Sequence, residues 1–166
     1  MMEISKSSRV GMISLKPEYA TMVFSGYKSV ELRRVRPNMS NGDILFIYMT
    51  SPVMALIGTV DVQDVIELDL QSLWHEYGEY TGISEVEFYE YYEGKETGIA
   101  ILLGRIHELD ETVSLDRLRE DFGAFQPPQC YYYFDDCAHS LRQLRSYFPN
   151  SFGLENELHE MTIALK

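Results

Sequence analysis

Three ionisable residues within six positions carry the strongest chemical signal in this chain: Lys28, Glu31 and Arg33, in the stretch SGYKSVELRR. Lysine offers a point cation and arginine a planar fork of donors matched to phosphate or carboxylate. Glutamate accepts from a nucleobase edge or an exocyclic amine. Converging on a half-buried recess, these charges would hold a small anionic or amide-bearing ligand. Gly26, just before the lysine, permits the positive φ of a sharp turn. The competing expectation is a solvated strand face on which the same charges neutralise one another and contribute little.

Position in the chain sharpens the question. The sequence has 166 residues, 14 Lys and Arg against 26 Asp and Glu, and a formal net charge of -12. Residues 1–36 nevertheless hold seven Lys or Arg and three Glu, whereas 37–94 hold eleven carboxylates and no Lys or Arg. A local basic cleft is compatible with this pattern, and a large nucleic-acid footprint is not, because the acidic stretch repels a polyanion. Lys16 adds to the cationic rim, with an exposed strand-end lysine as the alternative, and Arg34 and Arg36 widen the patch.

The elements that must position these groups follow from periodicity. VGMISLK reads as a strand ending at Pro17. Ala20, Val23 and Phe24 then mark a short helix with Gly26 at its C-terminal end. SVELRRV alternates, placing Glu31 and Arg33 on one face and Val30 and Leu32 on the other. DILFIYMT after the Asn41-Gly42 turn reads as a strand covered on both sides, and ALIGTVDVQDVIEL as a long strand with a bulge or bend at Gly58. Asp69 caps a helix carrying Leu70, Leu73, Trp74 and Tyr77, and Ser84 with Glu87 forms a capping box. Strand TGIAILLGRIHEL, a helix over 114–122, and an aromatic strand PPQCYYYF follow. Leu141, Leu144 and Phe148 mark a last amphipathic helix, and ELHEMTIALK fits either strand or helix.

Size and pattern predict a single α+β domain over 1–166, with a small β-barrel decorated by short helical insertions over 10–134 and a C-terminal helical or strand extension over 135–166. The opening residues lack a secretory pattern and no apolar run reaches the length of a span, so a cytoplasmic protein with no membrane partner is expected. Cys130 and Cys137 are expected as reduced thiols. With His139 they make too loose a set for a metal, and no cofactor is expected. His75, His107 and His159 stand alone, without a nucleophilic triad, a phosphate-cradling glycine loop or HExxH. Tyr48 is a candidate for stacking on a base in the cleft, against a core or surface role. Of Tyr131, Tyr132 and Tyr133, at most two share a face.

Gly26, Lys28, Glu31 and Arg33 together spell G-x-K-x-x-E-x-R after a helix and into a strand, which resembles the signature of the ASCH domain family. The resemblance extends through ISLKPEYA, NGDILFIY, Leu73-Trp74, the GIS at 82–84, FYEYYEG and PPQ at 127–129, over roughly residues 10–134. It implies a PUA-like β-barrel with a cleft beside the signature and an association with RNA, a nucleotide or a modified nucleoside. Some relatives hydrolyse acylated cytidine nucleosides with a threonine nucleophile where this chain has Glu31, assisted by the motif lysine, so that amide chemistry lacks its hydroxyl here.

Three functions follow as expectations. The first is a binding module that takes RNA, a nucleotide or a modified nucleoside through Lys16, Gly26, Lys28, Glu31, Arg33 and Tyr48. The second is a small hydrolase acting on an acylated nucleoside or RNA, with Glu31 as base and Lys28 steadying negative charge. The third is a protein-interaction module using the acidic surface.

Overall fold

The computed structural model describes residues 8–134 and 138–148. One six-stranded mixed sheet runs β2-β5-β4-β3-β1-β6. The chain enters at β1 (Val10–Leu15), crosses through α1 (Pro17–Phe24), and forms the edge strand β2 (Val30–Arg33) before β3 (Ile44–Met49). β1 and β3 lie parallel, from Val10 opposite Ile44 to Leu15 opposite Met49. Both are buried on both faces, which is why their sequences read as near-continuous apolar runs.

The two longest strands shape everything else. β4 (Ala55–Asp69) and β5 (Thr97–Ser114) pair antiparallel, and their register shifts three times, first between Leu56 and Gly58. The expected irregularity at Gly58 has a packing cause: a Cβ there would sit 2.3 Å from the His107 carbonyl oxygen and 2.6 Å from the Phe24 ring. Bare backbone therefore lets α1 rest directly on β4. Between β4 and β5 the chain makes α2 (Leu70–Tyr77), a 3-10 turn at Gly78–Tyr80, and α3 (Glu85–Tyr91). Asp69 accepts from the Ser72 N–H at the start of α2. Ser84 and Glu87 exchange both bonds of a capping box at the start of α3. After β5 come α4 (Leu115–Phe122), β6 (Tyr132–Tyr133) and α5 (Ala138–Ser146).

The β-barrel expected from pattern and from the resemblance is not there; the α+β layering is, but the sheet is open. Closure requires the end strands to share a ladder with a matching stagger. Here β2 spans four residues, β6 spans two, and each pairs with a single neighbour, β5 and β1 respectively. The segments around those edges are joined by bonds between a side chain and the backbone. The Tyr131 hydroxyl donates to the Val35 carbonyl at 3.4 Å, and the Tyr133 hydroxyl accepts from the Asn38 N–H at 3.1 Å. PPQCYYYF is too short in ladder, and too rich in proline at its start, to extend β6 into a closing strand.

Three apolar clusters flank the sheet. One, including Phe46, Tyr48, Leu118 and Phe134, takes in Leu141, Leu144 and Phe148 from the α5 segment. A second lies under α1 around Ile13, Val23, Ile47 and Val60. The third joins Val30 and Leu32 of β2 to Leu73 of α2 and to Phe88 and Tyr92 of the α3 segment. This last cluster holds the charged edge strand in place. The tail ELHEMTIALK and Cys137 lie outside the described residues. Among those described, no helix is long and apolar enough to cross a membrane.

Candidate functional site

The turn after α1 determines where the lysine goes. Gly26 has φ +81° and donates its N–H to the Val23 carbonyl, ending the helix, and the Lys28 N–H then returns to the Met22 carbonyl. The chain thus doubles back beneath α1 and enters β2 with Lys28 already inside. Ser29 is fixed from two sides, its N–H donating to Tyr80 and its carbonyl accepting from Leu103. β2 then pairs with β5, Glu31 opposite Ile101.

Lys28 is 4% exposed and Glu31 7%. The Lys28 ammonium donates at 2.7 Å to the Val30 carbonyl and at 2.7 Å to the Thr81 carbonyl, and lies 3.2 Å from Glu31 Oε2. An ammonium has three donors, so Lys28 is saturated. On the other side, Arg33 Nη2 lies 2.9 Å from Glu31 Oε1, and the guanidinium covers the Tyr131 ring at 5.3 Å from its centroid. Glu31 is thus clamped between two cations. The solvated network considered from sequence is a buried triad, and Lys28 orients the carboxylate instead of pointing outward. Burial pushes the Lys28 ammonium below its ordinary range, opposed by the charge and hydrogen bond of Glu31. Arg33 pays a desolvation penalty too, yet Glu31 carries it above its usual value.

The triad floors a cleft of about 460 Å³. Leu15, Leu32 and Ile83 supply apolar wall, Tyr19 and Tyr91 supply aromatic rings, and Lys16, Glu87 and Glu90 also line it. Gly82, between the lining residues Thr81 and Ile83, packs against α1 and Lys28. With φ +76°, it brings the loop so close that a Cβ would meet Met22 Sδ at 2.8 Å and the Lys28 methylenes at 3.6 Å. That approach delivers the Thr81 carbonyl to the ammonium.

Of the residues singled out from sequence, Lys16, Lys28, Glu31 and Arg33 line this cleft together. Gly26 acts through the turn and is not in its wall. Tyr48 is 2% exposed and packs in the core at 6.4 Å from Phe125, away from the cleft lining. Tyr131 and Tyr133 stack with an interplanar angle of 23° while Tyr132 faces elsewhere at 47% exposure. Tyr19, Tyr91 and the Thr81 carbonyl were not singled out as site groups. Tyr19 lies within the quoted ISLKPEYA and Thr81 just before the quoted GIS, but a backbone carbonyl leaves no signature in residue type. Among the described residues no group of His, Cys, Asp and Glu is arranged to hold a metal, and Cys130 is an exposed free thiol.

The chain belongs to the ASCH domain family, whose model matches residues 13–111. An ASCH domain-containing ribonuclease from Zymomonas mobilis is 39% identical over 118 residues, covering 71% of this chain and 79% of that protein. The crystal structure of the ASCH protein from Zymomonas mobilis superposes with a TM-score of 0.77 at 34% identity, covering 82% of this chain and 94% of that one. A hypothetical protein from Leishmania major shares the fold at a TM-score of 0.51 and 11% identity, over 87% of this chain and 98% of that one.

Proposed function

We propose that this chain binds single-stranded RNA in the cleft beside β2, with one nucleotide entering the recess floored by Lys28, Glu31 and Arg33. The carrying observation is the burial of that triad: an isolated charge cluster at such depth costs desolvation that a purely structural strand would avoid with apolar residues. The aromatic and apolar walls suit a base, and the volume suits one nucleotide better than a duplex. Exposed Lys16 at the rim suits a flanking phosphate. With so few cations engaged, the log–log salt slope should be shallow, about -1 to -2.

Fluorescence anisotropy with an eight-nucleotide single strand and a hairpin duplex tests this. Preference for the single strand, weakened at least tenfold by Arg33→Ala with the fold intact by circular dichroism, supports it. Equal binding by the variant, or a preference for duplex, overturns it.

A second reading is cleavage of the bound strand, favoured by the description of the Zymomonas mobilis relative as a ribonuclease. Glu31 then takes the proton of a 2′-hydroxyl as the 2′-oxygen attacks the adjacent phosphorus, the P–O5′ bond breaks to leave a 2′,3′-cyclic phosphate, and the 5′-oxygen leaves with a proton from water. Lys28 meets the developing charge only by exchanging one of its carbonyl acceptors. Glu31→Gln should slow fragment formation by about 10²–10⁴ while binding persists. Intact RNA after prolonged incubation with the unaltered protein removes this reading and leaves the first.

A further inference from the structure

We infer that the cleft selects a nucleobase bearing an exocyclic amine and discriminates against uracil, an inference that rests on the RNA-binding reading above. The argument is the direction of the cleft's hydrogen bonds. Its hydroxyl donors are largely spent on backbone carbonyls: Ser14 Oγ donates to Pro128 at 2.8 Å, Thr81 Oγ1 to Gly78 at 2.7 Å, and the Tyr91 hydroxyl to Leu32 at 3.3 Å. A carbonyl cannot donate, so in each pair the hydroxyl proton is committed. Two of the Lys28 protons go to carbonyls as well, and the third side of the ammonium faces Glu31.

Acceptors, in contrast, remain. An ionised carboxylate offers about four lone-pair sites, and Glu31 uses one on each oxygen, toward Lys28 and toward Arg33. The hydroxyl oxygens of Ser14 and Thr81 also keep accepting capacity. Glu87 and Glu90 add negative charge to the lining. The group that complements this interior is therefore a donor. Phosphate, which only accepts, belongs outside at Lys16.

Amino-bearing bases meet that requirement in the plane of a ring able to stack on Tyr19 or Tyr91. Guanine presents two parallel N–H groups to a carboxylate, and adenine and cytosine present one amine each. Uracil offers a single N–H flanked by two carbonyls, which would face the carboxylate oxygens. The donors left in the lining are the Arg33 guanidinium, whose buried Nε has no partner, and the Tyr19 hydroxyl, and either can meet a base carbonyl beside the amine.

The test uses eight-nucleotide uridine strands carrying one central adenosine, cytidine or guanosine, compared with the all-uridine strand by anisotropy at one salt concentration. Each amine-bearing strand should bind about tenfold tighter than its parent, the scale of one or two satisfied hydrogen bonds to a charged acceptor. Replacing the guanosine by inosine, which lacks the amine, should lose most of the gain. Equal affinity across the series overturns the selectivity and leaves RNA binding standing, as does tightest binding by all-uridine. Failure of every strand to bind overturns both. Glu31→Gln presents an amide donor in place of an acceptor and should erase the preference; should that variant fail to fold, the strand series alone decides.

Discussion

Two of the places where polar groups are buried against the sheet treat them differently. At β2 the Lys28, Glu31 and Arg33 charges are matched to each other, to two backbone carbonyls and to the Tyr131 ring. One buried atom there, Arg33 Nε, has no hydrogen-bond partner. On the β4–β5 ladder, Thr59 stands opposite His107, with Asp61 two residues along the strand. In this second place Thr59 Oγ1, Asp61 Oδ1 and His107 Nε2 are all buried without partners, although Asp61 Oδ2 lies 3.2 Å from Arg105. The first cluster is a compensated device; the second is a local cost carried by the rest of the fold. A chain that tolerates three orphaned atoms on the β4–β5 ladder leaves one at β2, and there each of the three charges faces an opposite charge.

The largest effect should come from breaking the compensation. Glu31→Leu leaves two buried cations facing each other and should destabilise by about 3–5 kcal/mol in urea unfolding. Replacing all three residues at once, Lys28→Met, Glu31→Leu and Arg33→Met, should recover most of that loss and still abolish RNA binding. If the triple variant is as unstable as the single one, the triad is structural and the contrast drawn here fails.

Thr59→Val tests the other cluster, and its sign is reversed. Removing an unpartnered buried hydroxyl while keeping the shape should stabilise by about 1 kcal/mol, read from the same unfolding midpoints. Destabilisation would mean that the hydroxyl has a partner, most simply an internal water.

A smaller effect concerns pH. Burial, and then the neighbouring Arg105 cation, hold the His107 imidazole below its ordinary value of 6.5, with Asp61 opposing them. The unfolded chain therefore binds the proton more readily. The contribution of His107 is complete above about pH 6.5 and is lost as pH falls from there toward the lowered folded value. Urea midpoints at pH 7.5 and 5 should differ more for the unaltered protein than for His107→Gln. The smallest effect is expected at Arg117, an exposed cation 2.9 Å from Asp121, where Arg117→Ala should leave the thermal midpoint unchanged.

Much of the local structure was legible in the sequence because its causes are local. The alternation in SVELRRV, the turn at Gly26, the caps at Asp69 and Ser84, and the irregularity at Gly58 each depend on a residue and its near neighbours. What sequence did not disclose is set by distant chain. Whether the sheet closes depends on the length and partner of β6, a property of the edge and not of any motif. Lys28 was read as a ligand-holding cation or as part of a solvated network because its acceptors, the Val30 and Thr81 carbonyls, are invisible as residue types. The alternation put Glu31 on a separate face from Val30 without indicating that α2 and α3 bury that edge too. Tyr48 had two destinations by pattern, and the aromatic pocket around Phe125 and Phe46 is assembled from four separate segments.

The tripod of bonds around Lys28 also has a chemical signature. An amine reagent attacks only a nitrogen whose lone pair it can reach, and this one is held by two carbonyls and a carboxylate. Acylation or reductive methylation of the folded protein should mark exposed Lys16 and Lys95 long before Lys28, so the order of labelling reports how tightly the Thr81–Gly82 loop is latched.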